Sequence, residues 1–256
     1  FEWISLYKFQ CRRMDRFLHG RVIFAGDSAH QVSPFGARGA NSGLEDAENL
    51  AWKLDRILRK TSPESLLESY HIERSAAADE NIRESTRSTD FMAPATRQEA
   101  RLRKAVLALA RETEFGKRMV NGGRLSVPSV YDTPLSMADI DVWRAGPRPG
   151  ASMPDAPMTA RGAPIFLTEA FIEGGRQFTL LEFGNGAAVE APDGVSAIRI
   201  GGEGGLIDSE GLAVPRYDAE PGTAYLLRPD GYVAARFRHP SRERLEAALA
   251  RASGLN

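Results

Sequence analysis

Residues 20–54, GRVIFAGDSAHQVSPFGARGANSGLEDAENLAWKL, decide how this chain is read. Val22, Ile23, Phe24 and Ala25 form a short continuous apolar run, which predicts a strand buried on both faces. Gly26-Asp27 ends that strand with a turn carrying a carboxylate. From Pro34 to Gly43 the glycines Gly36, Gly39 and Gly43 are interleaved with small residues, Ala37, Ala40 and Ser42. Glycine lets backbone approach a ligand closely and adopt positive φ. Ser42 and Glu45 then form an S-x-x-E pattern at a helix start. Leu44, Ala47, Leu50, Ala51, Leu54, Ile57 and Leu58 recur at the spacing of a core-facing helical stripe, with Trp52 as a packing residue and the helix ending near Lys60. Unpaired N–H donors and the macrodipole at such a helix start favour an electron-rich ligand. A strand-end acid facing that helix start makes a site for a polyol and a polarisable ring. The competing reading of Asp27 is a turn or helix cap.

Working outward, composition narrows the class. The chain has 256 residues, 42% hydrophobic and 26% charged, which is the make-up of a soluble globular protein with room for one large or two ordinary domains. A net charge of −1 gives no electrostatic case for nucleic acid or an anionic membrane. No apolar run reaches the roughly 18–20 residues of a membrane helix, and a cytoplasmic setting is expected. The single cysteine, Cys11, excludes an intrachain disulfide and a CxxC redox pair and reads as a small buried hydrophobe. No metal-ligand spacing is present. Asp27, Ser28 and His30 suggest a hydrolase, but three residues within four positions of one turn do not make a nucleophile–base–orienter line. His30 is read as structural, holding the turn.

The motif resembles a known family, the flavoprotein aromatic hydroxylases that use FAD and a reduced nicotinamide. The residues that carry the resemblance are Gly26-Asp27-Ser28-Ala29-His30, Pro34, Gly36, Gly39, Asn41, Gly43, and Asp46-Ala47-Glu48-Asn49-Leu50-Ala51-Trp52-Lys53-Leu54. The similarity is greatest to the branch acting on phenolic substrates such as hydroxyphenylpropionate. It implies an α/β fold: the C-terminal part of an FAD-binding domain, followed by a thioredoxin-like α/β domain without redox cysteines. It implies that FAD is the cofactor, that NADPH or NADH reduces it, and that O2 adds at flavin C4a to give the hydroperoxide that hydroxylates a small aromatic ring. Carried over by position, Asp27 binds a ribityl hydroxyl, an acceptor-only carboxylate suiting a hydroxyl donor. The amides of Gly39, Ala40 and Asn41 face the pyrimidine edge of the flavin, with Gly26 and Gly36 shaping the cofactor site. Pro34 stands beside the ring where oxygen adds, and is the residue assigned to catalysis. Two other readings stay open: a non-catalytic binding or assembly module, and another flavoprotein of the same superfamily, an epoxidase or dehydrogenase.

No strand followed by G-x-G-x-x-G opens a helix anywhere in the chain, and Gly201-Gly202-Glu203-Gly204-Gly205 reads as a loop. The family holds the ADP half of FAD with such a unit. With Phe1 rather than Met first, the expectation is a C-terminal piece carrying about half of a flavin site. Alternating residues 3–9 predict an entering strand, and Arg12, Arg13, Asp15 and Arg16 a solvated face. Residues 63–120 read as helical and without a catalytic constellation; Ser62-Pro63 opens the first helix there, Glu73 and Arg74 are structural ion-pair partners, and His71 has no assigned role. In residues 98–111 basic positions alternate with Leu102, Val106, Leu107 and Leu109, a surface helix with its apolar stripe on the core. Pro- and Gly-rich residues 121–160 form the linker, so the domains are placed at 1–145 and 146–256. Residues 177–183, 195–200, 223–227 and 232–237 read as strands, Arg228-Pro229-Asp230-Gly231 as a hairpin turn, and 241–252 as a closing helix. Residues 184–194 are too short and too Gly/Pro-rich for a full crossover helix. For this second domain a structural role is expected, including packing of two copies into a homodimer.

Overall fold

The computed structural model describes residues 4–6, 8–34, 37–121, 127–184 and 189–255. The chain divides into two units, Phe1–Glu48 with His71–Val127 and Asn49–Tyr70 with Pro128–Asn256. The division falls inside two helices, so each helix lends residues to both.

In the first unit, β1 (Arg12–Arg13), β2 (Leu18–His19), β3 (Val22–Ile23) and β4 (His30–Gln31) are two-residue strands. β1 pairs antiparallel with β4, Arg13 opposite His30, and β2 with β3, Leu18 opposite Ile23. The strand expected through residues 22–25 is therefore only Val22–Ile23, and Val22 is 56% exposed. Its one pairing among the described residues is β2, so only one flank is covered. Residues 4–6 and 8–11 form no strand, contrary to the alternation read there. A 3-10 turn, Gly26–Ser28, follows β3.

α1 (Gly39–Leu58) starts three residues before the expected cap. Ser42 lies inside the first turn, its N–H on the Arg38 carbonyl at 2.9 Å, so the S-x-x-E pattern does not cap the helix. The expected apolar stripe is also displaced. Leu44 and Leu58 are exposed, as are Ala47 and Ala51, whereas Ser42, Asp46, Asn49, Trp52 and Lys53 are buried. Those five follow helical spacing too: polar partners await Ser42, Asp46, Asn49 and Lys53, and an apolar core awaits Trp52. α2 (Leu66–Met92) begins after a turn in which Leu66 N–H meets the Pro63 carbonyl. It buries Glu73, Arg74, Ala77, Ala78, Asn81 and Ser85 at the same period.

α3 (Arg97–Glu112) has a capping box, Thr96 with Glu99, and α4 (Glu114–Asn121) folds back after Thr113. A β-carbon on Gly116 would stand 2.5 Å from backbone atoms of Leu109 and Ala110, so only glycine allows this approach. On α3 only Val106 is buried, while Leu102 is 63% exposed. The core-facing stripe expected there is not covered by the described residues.

The second unit contains β5 (Pro157–Ala160), β6 (Ala163–Phe166), α5 (Leu167–Glu173), β7 (Thr179–Phe183), β8 (Ser196–Ile200), β9 (Ile207–Asp208), α6 (Ala213–Arg216), β10 (Ala224–Leu227), β11 (Val233–Phe237) and α7 (Arg242–Ala252). Its main sheet runs β11-β10-β7-β8, with β7 and β8 parallel and β10 antiparallel to both neighbours. A parallel pair extended by an antiparallel hairpin is the thioredoxin-like order that the resemblance implied. β7, β10 and β11 are buried along their whole length and are mostly apolar, with one buried charge each in β7 (Glu182) and β11 (Arg236). Of the 184–194 segment between β7 and β8, residues 185–188 lie outside the described residues, and residues 189–194 form no helix. One face of the sheet packs Phe178, Leu180, Leu226, Phe237, Leu245 and Ala248 with Trp52 and Leu66. Trp52 is thus a packing residue, edge-on to Phe178 with centroids 5.8 Å apart. β6, β5 and β9 form a smaller antiparallel sheet.

Candidate functional site

The turn after β3 presents Asp27 to solvent, and its carboxylate meets no donor among the described residues. The turn exists because Gly26 takes φ +57°, which few side-chain-bearing residues adopt. Behind it α1 passes backbone to backbone. A β-carbon on Gly43 would lie 3.6 Å from Gly26 Cα, and one on Gly26 3.9 Å from Gly43 Cα. Ser28 Oγ–H donates to the Ala25 carbonyl at 2.7 Å and is turned away from His30, so no Asp–Ser–His relay forms.

His30 instead donates from Nε2 to Asp46 Oδ2 at 2.7 Å, both side chains being buried. The same oxygen accepts the Gly26 N–H at 2.8 Å. Asp46 Oδ1 accepts Arg74 Nε at 2.5 Å. Burial alone would raise the Asp46 carboxyl, but the His30 hydrogen bond and the Arg74 charge hold it below the usual carboxylate range. It is ionised and acceptor-only, which is why each neighbour is a donor. Arg74, itself fully buried, also reaches Glu45 Oε2 and the Ser42 carbonyl and hydroxyl, each at 3.0 Å. The ion pairs read for Arg74 are therefore with the two acids of α1, Glu45 and Asp46.

Farther along α2, Asn81 accepts from Arg38 at 2.9 Å and donates to Ser42 Oγ at 3.3 Å. Ser85 donates to the Ser33 carbonyl at 3.0 Å, and Thr89 shares a hydrogen bond with Ser33 Oγ at 2.8 Å. Half-buried Cys11 accepts the Ser33 N–H through Sγ at 3.3 Å, a polar contact beyond the apolar role expected of it. The Gly-rich loop is thereby fastened at both ends, Ser33 and Arg38, to one polar stripe of α2. Between them Pro34 is exposed and its carbonyl accepts the Ala37 N–H at 3.2 Å. Gly36 lies outside the described residues. Gly39, Ala40 and Asn41 form the first turn of α1, where amides have no intrahelical acceptor; Ala40 and Asn41 are exposed.

The structure thus brings Gly26, Asp27, Gly39, Ala40 and Asn41 onto one stretch of the first unit around Gly43. This fits a cofactor that needs an exposed carboxylate, free helix-start amides and backbone without side chains. Sequence reading left Asn81 and Ser85 without a role, and did not foresee the ties from Arg74 to Asp46, Glu45 and Ser42. The signal was present as a polar period of 3.6 along α2, at 74, 81, 85 and 89. Phe17 N–H also reaches His71 Nδ1 at 3.4 Å, giving His71 a structural contact. Arg13 pairs with Asp79 at 2.6 Å rather than facing only solvent.

A second buried charge lies in the other unit. Arg228, fully buried, donates from Nε and NH2 to the two oxygens of Asp230, at 3.0 and 2.5 Å. Its guanidinium lies over Trp52, Tyr131 and Tyr232 at 5.2–5.5 Å from their centroids. Asp230 further accepts Trp52 Nε1 at 3.0 Å and Asn49 Nδ2 at 3.4 Å. An open cleft of about 510 Å³ in this unit is lined by Tyr131, Ser136, Asp139, Arg148 and Arg251 and shares no residue with the site above. Among the described residues no helix is long and apolar enough to cross a membrane, and no group of His, Cys, Asp and Glu is placed to hold a metal.

Residues 1–85 match the family described as FAD binding domain, and residues 146–255 the family described as aromatic-ring hydroxylase, C-terminal. The tetracenomycin A2 monooxygenase-dioxygenase of Streptomyces glaucescens is 33% identical over 92% of this chain and 42% of its own length. The dialkyldecalin synthase of Streptomyces rugosporus is 32% identical over 96% of this chain and 44% of its own. Among solved structures, CabE, an aromatic hydroxylase from angucycline biosynthesis, superposes with a TM-score of 0.73 at 27% identity, covering 98% of this chain and 48% of that one. Aklavinone-11 hydroxylase in complex with FAD and aklavinone gives 0.71 at 26% identity, covering 96% and 46%. The chain spans a little under half the length of these relatives.

Proposed function

We propose, from the matches to the FAD binding domain and to the aromatic-ring hydroxylase C-terminal domain, that this chain is part of an FAD-dependent enzyme that hydroxylates an aromatic, phenol-type ring with NADPH or NADH and O2. The observation that carries the reading is the pairing of an exposed Asp27 carboxylate with the open first turn of α1 across the Gly26–Gly43 approach. FAD, when bound, supplies the electron transfer and oxygen activation. The chain's residues hold and orient it. Asp27 accepts a hydrogen bond from a ribityl hydroxyl. The Gly39, Ala40 and Asn41 amides face the electron-rich edge of the ring and stabilise negative charge there. Pro34 stands beside the ring and offers no N–H there. The names of the relatives, a polyketide hydroxylase of Streptomyces halstedii among them, support a polyketide-type aromatic as substrate class. A cytoplasmic location and a homodimer formed through the second unit complete the proposal, along with domains meeting near residue 145.

The test is full-length protein purified with FAD, followed for NAD(P)H and O2 consumption with a panel of phenols and fused aromatics. Substrate-dependent consumption and a product heavier by one oxygen are expected. The dialkyldecalin synthase match favours one other reading, a flavoprotein scaffold serving a different transformation. It predicts turnover without uptake of oxygen into the product.

A further inference from the structure

Asp46 lies on α1, yet two of its three partners, the Gly26 N–H and His30 Nε2, belong to the segment from the 3-10 turn to β4. The third, Arg74, comes from α2 and grips the first turns of α1 at Ser42 and Glu45. The side chain is fully buried, so no water competes for those oxygens. The Gly26–Gly43 approach would tolerate sliding by itself, because it consists of glycine backbone on both sides. What stops the sliding is a carboxylate whose two oxygens are committed to opposite sides.

We propose that Asp46 is a positioning residue for the cofactor-facing edge. It holds the turn that presents Asp27 in register with the α1 amides of Gly39, Ala40 and Asn41. The inference rests on the flavin-binding reading, since register between those groups matters only to a ligand that touches both. An aspartate is required rather than an asparagine. The amide would keep one acceptor oxygen and turn an NH2 toward groups that are themselves donors.

The test uses full-length, FAD-loaded protein. Asp46→Asn is expected to weaken FAD by roughly tenfold to a hundredfold, the range that loss of a charge-assisted hydrogen bond spans, and to alter the visible circular dichroism of bound flavin. His30→Leu, which removes one tie and leaves the Arg74 contact, is expected to shift both readouts in the same direction. His30→Gln, which restores a donor, should bring them back toward wild type. Val106→Ala, a buried deletion on α3, should lower thermal stability and leave both unchanged. The His30 pair keeps the test decisive even where Asp46→Asn does not fold. Folded Asp46→Asn or His30→Leu protein with wild-type affinity and flavin signal overturns the proposal. Wild-type protein that binds no FAD overturns the functional reading instead, and the two failures are distinct.

Discussion

Asp27 and Asp46 are both acids of one motif, and their surroundings separate their tasks. Asp27 is exposed and meets no donor among the described residues, so its loss should cost the fold little and the cofactor much. Asp27→Ala is expected to weaken FAD by about 1.5–3 kcal/mol, the value of a hydrogen bond to a charged group, with the melting temperature of apoprotein unchanged. Flavin titration beside thermal unfolding checks both halves, and unchanged affinity would falsify the role given to Asp27. Asp46, in contrast, bears on stability. Its carboxyl is depressed in the folded state, so its contribution is present above the unfolded carboxylate value of about 3.9 and is lost as pH falls through the lower folded value. Wild-type protein should therefore lose stability below about pH 4, and Asp46→Asn should flatten that acid limb. Asp230 is the stability residue of the second unit. Asp230→Ala leaves the Arg228 guanidinium buried among Trp52, Tyr131 and Tyr232 with its carboxylate gone, at a cost of about 3–5 kcal/mol. Chemical denaturation should show a loss of that size; a change under 1 kcal/mol would mean that the surroundings of Arg228 compensate its charge without Asp230.

At the scale of elements, α1 departs from the usual rule for amphipathic helices. The apolar positions Leu44 and Leu58 face outward in the described chain, and the polar positions Ser42, Asp46, Asn49 and Lys53 face in. Polar side chains are buried at tolerable cost only when their donors and acceptors are matched, and here they are: Asp46 with His30 and Arg74, Asn49 with Lys53 and Asp230. Apolar periodicity gave the right helix and the wrong buried face, because it counts hydrophobes and is blind to complementary polar pairs. The α3–α4 hairpin shows a steric requirement instead. Gly116→Ala places a methyl 2.5 Å from α3 backbone, which must shift to accept it. A loss of roughly 1–3 kcal/mol, the usual overpacking cost, is expected. Hydrogen exchange should show the opening confined to residues 97–121, with FAD affinity unchanged.

For the whole molecule, the second unit contains residues 49–70 as well as the C-terminal sheet. Trp52 and Leu66 lie in the core built by Phe178, Leu226 and Leu245. Removing residues 146–256 therefore strips the cover from both and takes Asp230 from Trp52 and Asn49. Protein truncated at residue 145 is expected to be insoluble or to expose apolar surface to a dye such as ANS, rather than to persist as a working flavin domain. Soluble truncated protein that keeps bound FAD and its single-turnover rate would show that the C-terminal sheet is dispensable to the helices. On the proposed reading the 256 residues by themselves supply one side of a flavin site, and their sequence has no G-x-G-x-x-G. Without the pyrophosphate cradle, affinity for FAD is expected to fall to the point where isothermal titration detects none at micromolar protein.

By itself the sequence determined the class of this protein. A glycine-permitted turn with an acid, a proline, a Gly-rich run and a helix start are local features, and local backbone chemistry is written in adjacent residues. The same holds for β7, β8, β10, β11, the turn at Arg228–Gly231 and α7, whose periods and turn residues are short-range. Tertiary structure alone decided the length of the 22–25 strand, the buried face of α1 and the use of α2 as the anchor of the loop. Each of these depends on partners far away in sequence: Asp46 on Arg74 at a separation of 28 residues, Ser33 on Thr89 at 56, Trp52 on Asp230 at 178. A buried polar residue looks, in one dimension, like a solvated one. Only the presence of its partner within hydrogen-bonding distance tells them apart.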